Sequence, residues 1–215
     1  MEDTTLTIAK ITHEIRNPLT LINSSLQLIE SMHPEVKEFS FWSQTLEDVA
    51  YVNELLDDLA AYSDKRRFFM CEVDLKEVVH SLEESLKPYI QLNQKYFSVH
   101  MPAQLPSVFG NPMKLKQAFL NLLKNAFEST GEGGCVSMSI RKYLDQIIIR
   151  ISDDGCGMNQ EAIESLFTPF SSQKSYGTGL GLAITQKIIR AHYGEIEVSS
   201  ILGRGTTFTI TLPHL

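Results

Sequence analysis

Ile8, Thr12, Ile15, Leu19, Ile22, Leu26 and Ile29 recur at alternating steps of four and three residues, the seam of a coiled-coil-like helix. His33, Pro34 and Glu35 break the pattern at a proline, and a second periodic run follows through Trp42, Leu46, Val49, Val52, Leu56 and Leu59. The two runs read as a helical hairpin. Leu21 and Leu28 lie off the first seam and widen its apolar face beyond what one hairpin buries, so two hairpins pairing as a four-helix bundle is the expected solution. The chain is therefore expected to form a homodimer.

Past the basic triplet Lys65, Arg66 and Arg67 the period changes from helical to mixed. Phe68 to Val73 reads as a short strand, and Asp74 with Glu77 forms a capping-box pattern opening a helix toward Tyr89. Tyr96 to Met101 alternates like a strand, and Asn111 followed by Pro112 suits the start of the next helix. Val136 to Tyr143 and Gln146 to Ser152 read as a hairpin turning near Asp145; Ile184 to His192 continues a helix begun near Leu180. Glu195 to Ser199 and Thr206 to Leu212 finish as strands. The expected fold class is thus α plus α/β, with a helical-hairpin dimerisation domain over 1–66 and an α/β sandwich, a mixed sheet with helices on one face, over 67–215.

Bulk properties narrow the function classes. The densest apolar stretch, Ile147 to Ile151, is strand-sized and interrupted by Arg150, far short of the ~20 residues a membrane span needs. The start at Met1 shows no basic segment followed by an apolar one, so a cytoplasmic location is expected. Net charge is -7 with the basic residues dispersed apart from that triplet, which argues against nucleic acid as the main partner. Cys71, Cys135 and Cys156 are widely spaced, and His33, His80, His100 and His214 do not cluster, so neither a disulfide framework nor a zinc site is indicated.

Four strings carry chemistry: HEIRNPLT (His13 to Thr20), NLLKNAFE (Asn121 to Glu128), DDGCGM (Asp153 to Met158) and GTGLGL (Gly177 to Leu182). In this order, over nearly the whole chain, they resemble a sensor histidine kinase reduced to its dimerisation and catalytic core, with a HisKA-type phosphoacceptor domain and a GHKL (Bergerat-fold) ATPase domain. A Rossmann reading fails because no strand precedes the Gly177 run, and a P-loop fails because no Gly-Lys-Ser/Thr follows it.

His13 lies one step from the Thr12 seam position, beside the expected bundle core and facing water. A neutral imidazole is nucleophilic near pH 7, and a carboxylate on its other nitrogen fixes the tautomer; the resemblance gives that role to Glu14. It also implies that Asn17, one helical turn on, positions the water that dephosphorylates a regulator. A plain polar surface role for Asn17 stands beside that reading. Pro18 removes its own N–H and opposes the carbonyl of Glu14, at about 3 kcal/mol in a helix interior, so a kink at the reacting turn is expected.

Asn125 offers a hard amide oxygen of the kind Mg²⁺ takes, and Asn121 stands one turn earlier on the same face. Where related ATPases carry a water-activating Glu, this chain has Asn121, which implies slow hydrolysis and a phosphoryl group kept for a protein acceptor. The resemblance places the adenine amino group on Asp153, at a turn where Gly155 and Gly157 permit close backbone approach. Asp154 reads as a solvated turn residue. The segment between Gly157 and Gly179, with Phe167 and Phe170, resembles the family's ATP lid; Lys174 is either a phosphate contact or a solvent-facing lysine. Gly177, Thr178, Gly179, Leu180 and Gly181 lead into a helix whose first amides favour phosphate. Gly203-x-Gly205-Thr206 reads as a turn supporting the pocket, and His192 as structural.

The expectation is an ATP- and Mg²⁺-dependent protein-histidine kinase that phosphorylates His13 and passes the group to an aspartate of a response-regulator receiver domain, with a regulator phosphatase activity able to coexist. The alternative is a histidine phosphotransfer or adaptor protein whose nucleotide site is not catalytic. Little sequence precedes His13, so either a separate sensory protein supplies the input or the chain is a core cut from something larger.

Overall fold

The computed structural model describes residues 2–63, 69–171 and 178–215, without the side chains of residues 2–10, 13, 54 and 63. The described chain divides into two compact units. One holds residues up to 63 together with 178–180; the other holds 69–171 and 181–215.

In the first unit, α1 (Glu2–Met32) runs through Pro18 as one continuous helix, and α2 (Trp42–Ser63) returns beside it. A short 3₁₀ segment at Pro34–Glu38 makes the turn, and its Val36 is buried. Glu30 accepts from the Trp42 indole at 3.3 Å and pairs with Lys37 at 2.8 Å, tying the end of α1 to the segment that follows it. The heptad seam splits in two. Thr12, Leu19 and Leu26 turn toward α2 and are buried or half-buried, whereas Ile15, Ile22 and Ile29 remain 45, 49 and 40 % exposed. Ile11, Leu21, Leu28 and Met32 are exposed as well. One hairpin therefore covers only one of its two seam rows.

The second unit is a five-stranded sheet in the order β2-β4-β5-β7-β6 with helices packed on it. Its strands are β2 (Tyr96–His100), β4 (Cys135–Tyr143), β5 (Gln146–Asp153), β6 (Glu195–Ile201) and β7 (Gly205–Pro213). Only β2 and β4 pair in parallel; the other three pairings are antiparallel. Alternation sorts the faces. Val136, Met138 and Ile140 of β4, Ile147, Ile149 and Ile151 of β5, and Phe208, Ile210 and Leu212 of β7 are buried. Ser139, Arg150, Thr209 and Glu197 stand in register across the opposite, polar face.

Three helices close the core: α3 (Leu75–Leu92), α4 (Pro112–Ser129) and α6 (Gly181–Ala191). Leu75, Val78, Val79, Leu82 and Leu86 of α3 are buried, as are Leu115, Phe119, Leu122, Leu123 and Phe127 of α4 and Ile184, Ile188 and Ile189 of α6. Asp74 caps α3 through Lys76 N at 2.8 Å, one position earlier than a capping box would place the bond, and the helix runs on past Tyr89. Asn111 caps α4 through Lys114 N at 2.9 Å.

Two elements went unread in the sequence. β3 (Val108–Gly110) pairs antiparallel with β1 (Cys71–Val73) in a separate two-stranded sheet, and α5 (Gln160–Ser165) lies in the weakly periodic stretch after Gly157. The strand expected from Phe68 is shorter, starting at Cys71; Phe68 and the Lys65 to Arg67 triplet fall outside the described residues. The β4–β5 turn is made by Leu144 and Asp145, with Leu144 at φ 54°.

Candidate functional site

Along α4, residues 121, 125 and 129 follow one another at steps of four, a polar stripe of Asn121, Asn125 and Ser129 on a helix whose other inward positions are apolar. All three are half-buried. Asn121 donates its amide N–H to the carbonyl of Gly181 at 3.3 Å, joining α4 to the first turn of α6. Ser129 lies at the other end of the stripe, where β5 finishes at Asp153.

Asp153 is the centre of the arrangement. Its Oδ1 accepts three hydrogen bonds, from Gly155 N at 2.9 Å, Ser129 Oγ at 3.0 Å and Thr206 N at 3.2 Å. Among the described residues, none of these bonds goes to Oδ2. Burial raises the carboxyl above its ordinary value; the bonds from Gly155, Ser129 and Thr206 oppose that, and the like charge of Asp154 adds to it. The result is a half-buried carboxylate with one oxygen saturated and the other open to accept an N–H from a ligand.

The turn after Asp153 is held from two sides. Cys156 N donates to Ser129 O at 3.0 Å, and Gly203 N donates to Cys156 O at 2.7 Å. Met158 N donates to Ser200 Oγ at 2.8 Å. A Cβ on Gly155 would lie 2.5 Å from Ser129 O, and one on Gly157, at φ +63°, would lie 2.1 Å from Ile201 O. Both glycines are thus demanded by the chain's own backbone, an intramolecular reason the sequence did not supply. Thr206 N reaches the Asp153 carboxylate from the start of β7. Asp154, expected to be merely solvated, also accepts from Cys135 N at 2.9 Å and pins the start of β4.

Other expected site residues are placed as follows. His13 lies in α1, but its imidazole is outside the described residues, as are Lys174 and Gly177. Glu14 and Asn17 are exposed on α1, and near them Arg16 pairs with Asp57 of α2 at 2.8 Å. Thr178 Oγ1 donates to Asp58 Oδ2 at 2.5 Å within the first unit and accepts from Leu180 N at 3.1 Å. Gly179 has φ +66°, Leu180 is buried, and Gly181 opens α6. Phe167 is half-buried and Phe170 exposed. No group of three or more metal-holding His, Cys, Asp or Glu occurs among the described residues. No helix among them is long and apolar enough to cross a membrane.

Ser129 and Thr206 are the residues at this carboxylate that reading the sequence missed or undervalued. A signal for Ser129 was present in the four-residue polar stripe. Thr206 was read within a turn supporting the pocket, but its bond to Asp153 was not, because a backbone N–H carries no side-chain mark.

Residues 110–215 match the family described as histidine kinase-, DNA gyrase B- and HSP90-like ATPase. Sporulation kinase E of Bacillus subtilis (strain 168) is 32 % identical over 207 residues, covering 95 % of this chain and 28 % of that protein. Signal transduction histidine-protein kinase AtoS of Escherichia coli (strain K12) is 33 % identical over 211 residues, covering 96 % of this chain and 34 % of that protein. The chain thus spans about a third of the length of these two relatives. Full-length ShkA, solved in complex with AMPPNP, shares the fold with a TM-score of 0.83 at 23 % identity, over 97 % of this chain and 45 % of that one.

Proposed function

We propose, from the match of residues 110–215 to the histidine kinase-, DNA gyrase B- and HSP90-like ATPase family, that the chain is an ATP-dependent protein-histidine kinase acting on its own His13. The observation that carries the reading is the half-occupied carboxylate of Asp153: Oδ1 is filled by three donors from the protein, and Oδ2 suits an exocyclic adenine amine. A guanine carbonyl would be repelled there. Asn125 offers its amide oxygen to Mg²⁺, and Asn121 stands where a water-activating carboxylate would favour hydrolysis. Two relatives named as kinases over nearly this whole chain support the reaction class.

The nucleotide, when bound with Mg²⁺, supplies the phosphoryl group and a metal that offsets charge on the leaving phosphates. The chain's own residues do the rest. Asp153 orients the base, with Gly155 and Gly157 shaping the turn that follows it. Lys174 and the run Gly177, Thr178, Gly179, Leu180 and Gly181 serve the phosphates. His13 accepts on one ring nitrogen while Glu14 holds the proton of the other and fixes the tautomer. Phosphohistidine then passes its group to an aspartate of a response-regulator receiver domain, and Asn17 orients the water that hydrolyses the regulator's phosphoaspartate, releasing inorganic phosphate.

In this reading residues 1–66 form the dimerisation and phosphoacceptor domain and 67–215 the catalytic domain. The uncovered seam row Ile15, Ile22 and Ile29, with Leu21 and Leu28 beside it, supports burial against a second copy in a four-helix bundle. The assembly works in the cytoplasm under a sensory input. Incubation with γ-labelled ATP tests the core claim: acid-labile, base-stable label should appear on the wild type and vanish in His13→Gln and in Asp153→Ala. Label that persists in His13→Gln would overturn the acceptor assignment.

A further inference from the structure

We propose that Ser129 is a positioning residue for nucleotide recognition, fixing the Asp153 carboxylate so that Oδ2 faces the base; this rests on the nucleotide site proposed above. Ser129 meets the turn twice. Its carbonyl accepts from Cys156 N at 3.0 Å, and its hydroxyl lies 3.0 Å from Asp153 Oδ1. The approach is close enough that any Cβ on Gly155 would fall 2.5 Å from both Ser129 O and Ser129 Oγ. The same helix carries Asn121 and Asn125, so Ser129 is the point at which the amide-bearing helix and the base-reading carboxylate are locked together.

The hydroxyl has one proton and two acceptors. Ser129 Oγ also stands 2.8 Å from the carbonyl of Ala126, within its own helix. With Asp153 ionised, the charge-assisted bond to Oδ1 wins the proton. With Asp153 protonated, the hydroxyl turns back to Ala126 O at little cost, a return that every helical serine can make. Ser129 therefore favours the ionised, base-accepting form selectively rather than stabilising the fold alone. Burial pushes the carboxyl up, and Ser129 is one of three groups that pull it down. Around it, the turn after β5 contributes Asp154, whose like charge raises it, while α4 and the start of β7 contribute the uncharged Ser129 and Thr206. Glu128, next to Ser129, acts on Tyr89 of α3.

The test is calorimetric binding of ADP to the intact chain between pH 5 and 8, for wild type, Ser129→Ala and Ser129→Thr. Wild-type affinity should fall on the acid side as Asp153 takes up a proton. In Ser129→Ala that fall should begin about one pH unit higher, so that the deficit against wild type widens from about two-fold at pH 8 toward about ten-fold at the acid limit, where Asp153 is protonated in both proteins. Ser129→Thr, which keeps the hydroxyl, should restore the wild-type profile. An Ala variant with the wild-type midpoint overturns the proposal while leaving the nucleotide site standing, as does a uniform, pH-independent loss shared by Ala and Thr. Wild-type protein that binds no ADP at any pH overturns both.

Discussion

His192 is locked into a single neutral form. It is buried, its Nδ1 lies 2.7 Å from Ile188 O and its Nε2 takes Asn111 N–H at 2.9 Å, so the ring donates through Nδ1 and accepts through Nε2. Protonation would set an N–H against an N–H. Burial accordingly lowers its pKa. The unfolded chain then takes up this proton first: the contribution to stability is complete above about pH 6.5 and is lost as pH falls toward the folded value. Urea unfolding at pH 7.5 and pH 5.5 should show the wild type losing about 1 kcal/mol more than His192→Gln between those conditions. Asp153, with its raised pKa, works in the opposite direction at lower pH, so the His192 variant and not the wild type alone isolates the effect. Gly157→Ala should be costly at any pH, because the new Cβ meets Ile201 O at a backbone angle of φ +63°; a drop of several degrees in thermal midpoint is expected. At this scale the sequence marked the residues whose chemistry is unusual for their place, the asparagines of a helix and the aspartate of a glycine turn. Ser129 escaped because what it does depends on a contact made across 24 positions of chain, and Thr206 was read as supporting the pocket without its partner, which lies 53 positions away.

Elements with a strong period were legible and short ones were not. The α1 seam, the Asn111-Pro112 start of α4 and the alternation of β4, β5 and β7 all appear close to where their patterns place them. β3 is three residues long, too short for alternation to be seen, and exists through pairing with β1, whose strand the sequence did place, with a start earlier than Cys71. The β4–β5 turn lacked a glycine to announce it, since Leu144 takes the φ 54° position that glycine usually fills. Leu144 is also exposed, so nothing buried is lost by replacing it. Leu144→Gly should stabilise the second unit by about 0.5 kcal/mol, visible as a small rise in thermal midpoint; a fall would show that the leucine contributes more than its backbone strain removes.

For the whole molecule, the split seam of α1 makes the state of association measurable. Sedimentation should show a dimer, and Ile22→Glu, placed in the uncovered row, should shift it toward monomer with little change in the helix content of each chain. Mixing His13→Gln with Asp153→Ala protein and labelling with γ-labelled ATP reports the direction of transfer: label on the Asp153→Ala chain requires that one copy phosphorylates the other. Periodicity revealed that α1 has a wide apolar face, yet which row its own hairpin covers is decided by packing with α2. That choice depends on the helix crossing, which no single helix encodes.

Because β2 and β4 run the same way, the chain between them has to travel back along the sheet, and α4 is the element that makes this return. The helix bearing Asn121 and Asn125 is therefore a structural strap as well as the carrier of the two amides proposed to serve the nucleotide. Foreign sequence grafted into the loop at 101–107, which Lys76 meets at Ala103 O and Leu215 at Ser107 O, should disturb those two bonds before it disturbs the strap. Lengthening 130–134, where Lys95 grips Thr130 O and Gly133 N meets Gln94 O, would slacken it and move the amides relative to the strand they serve.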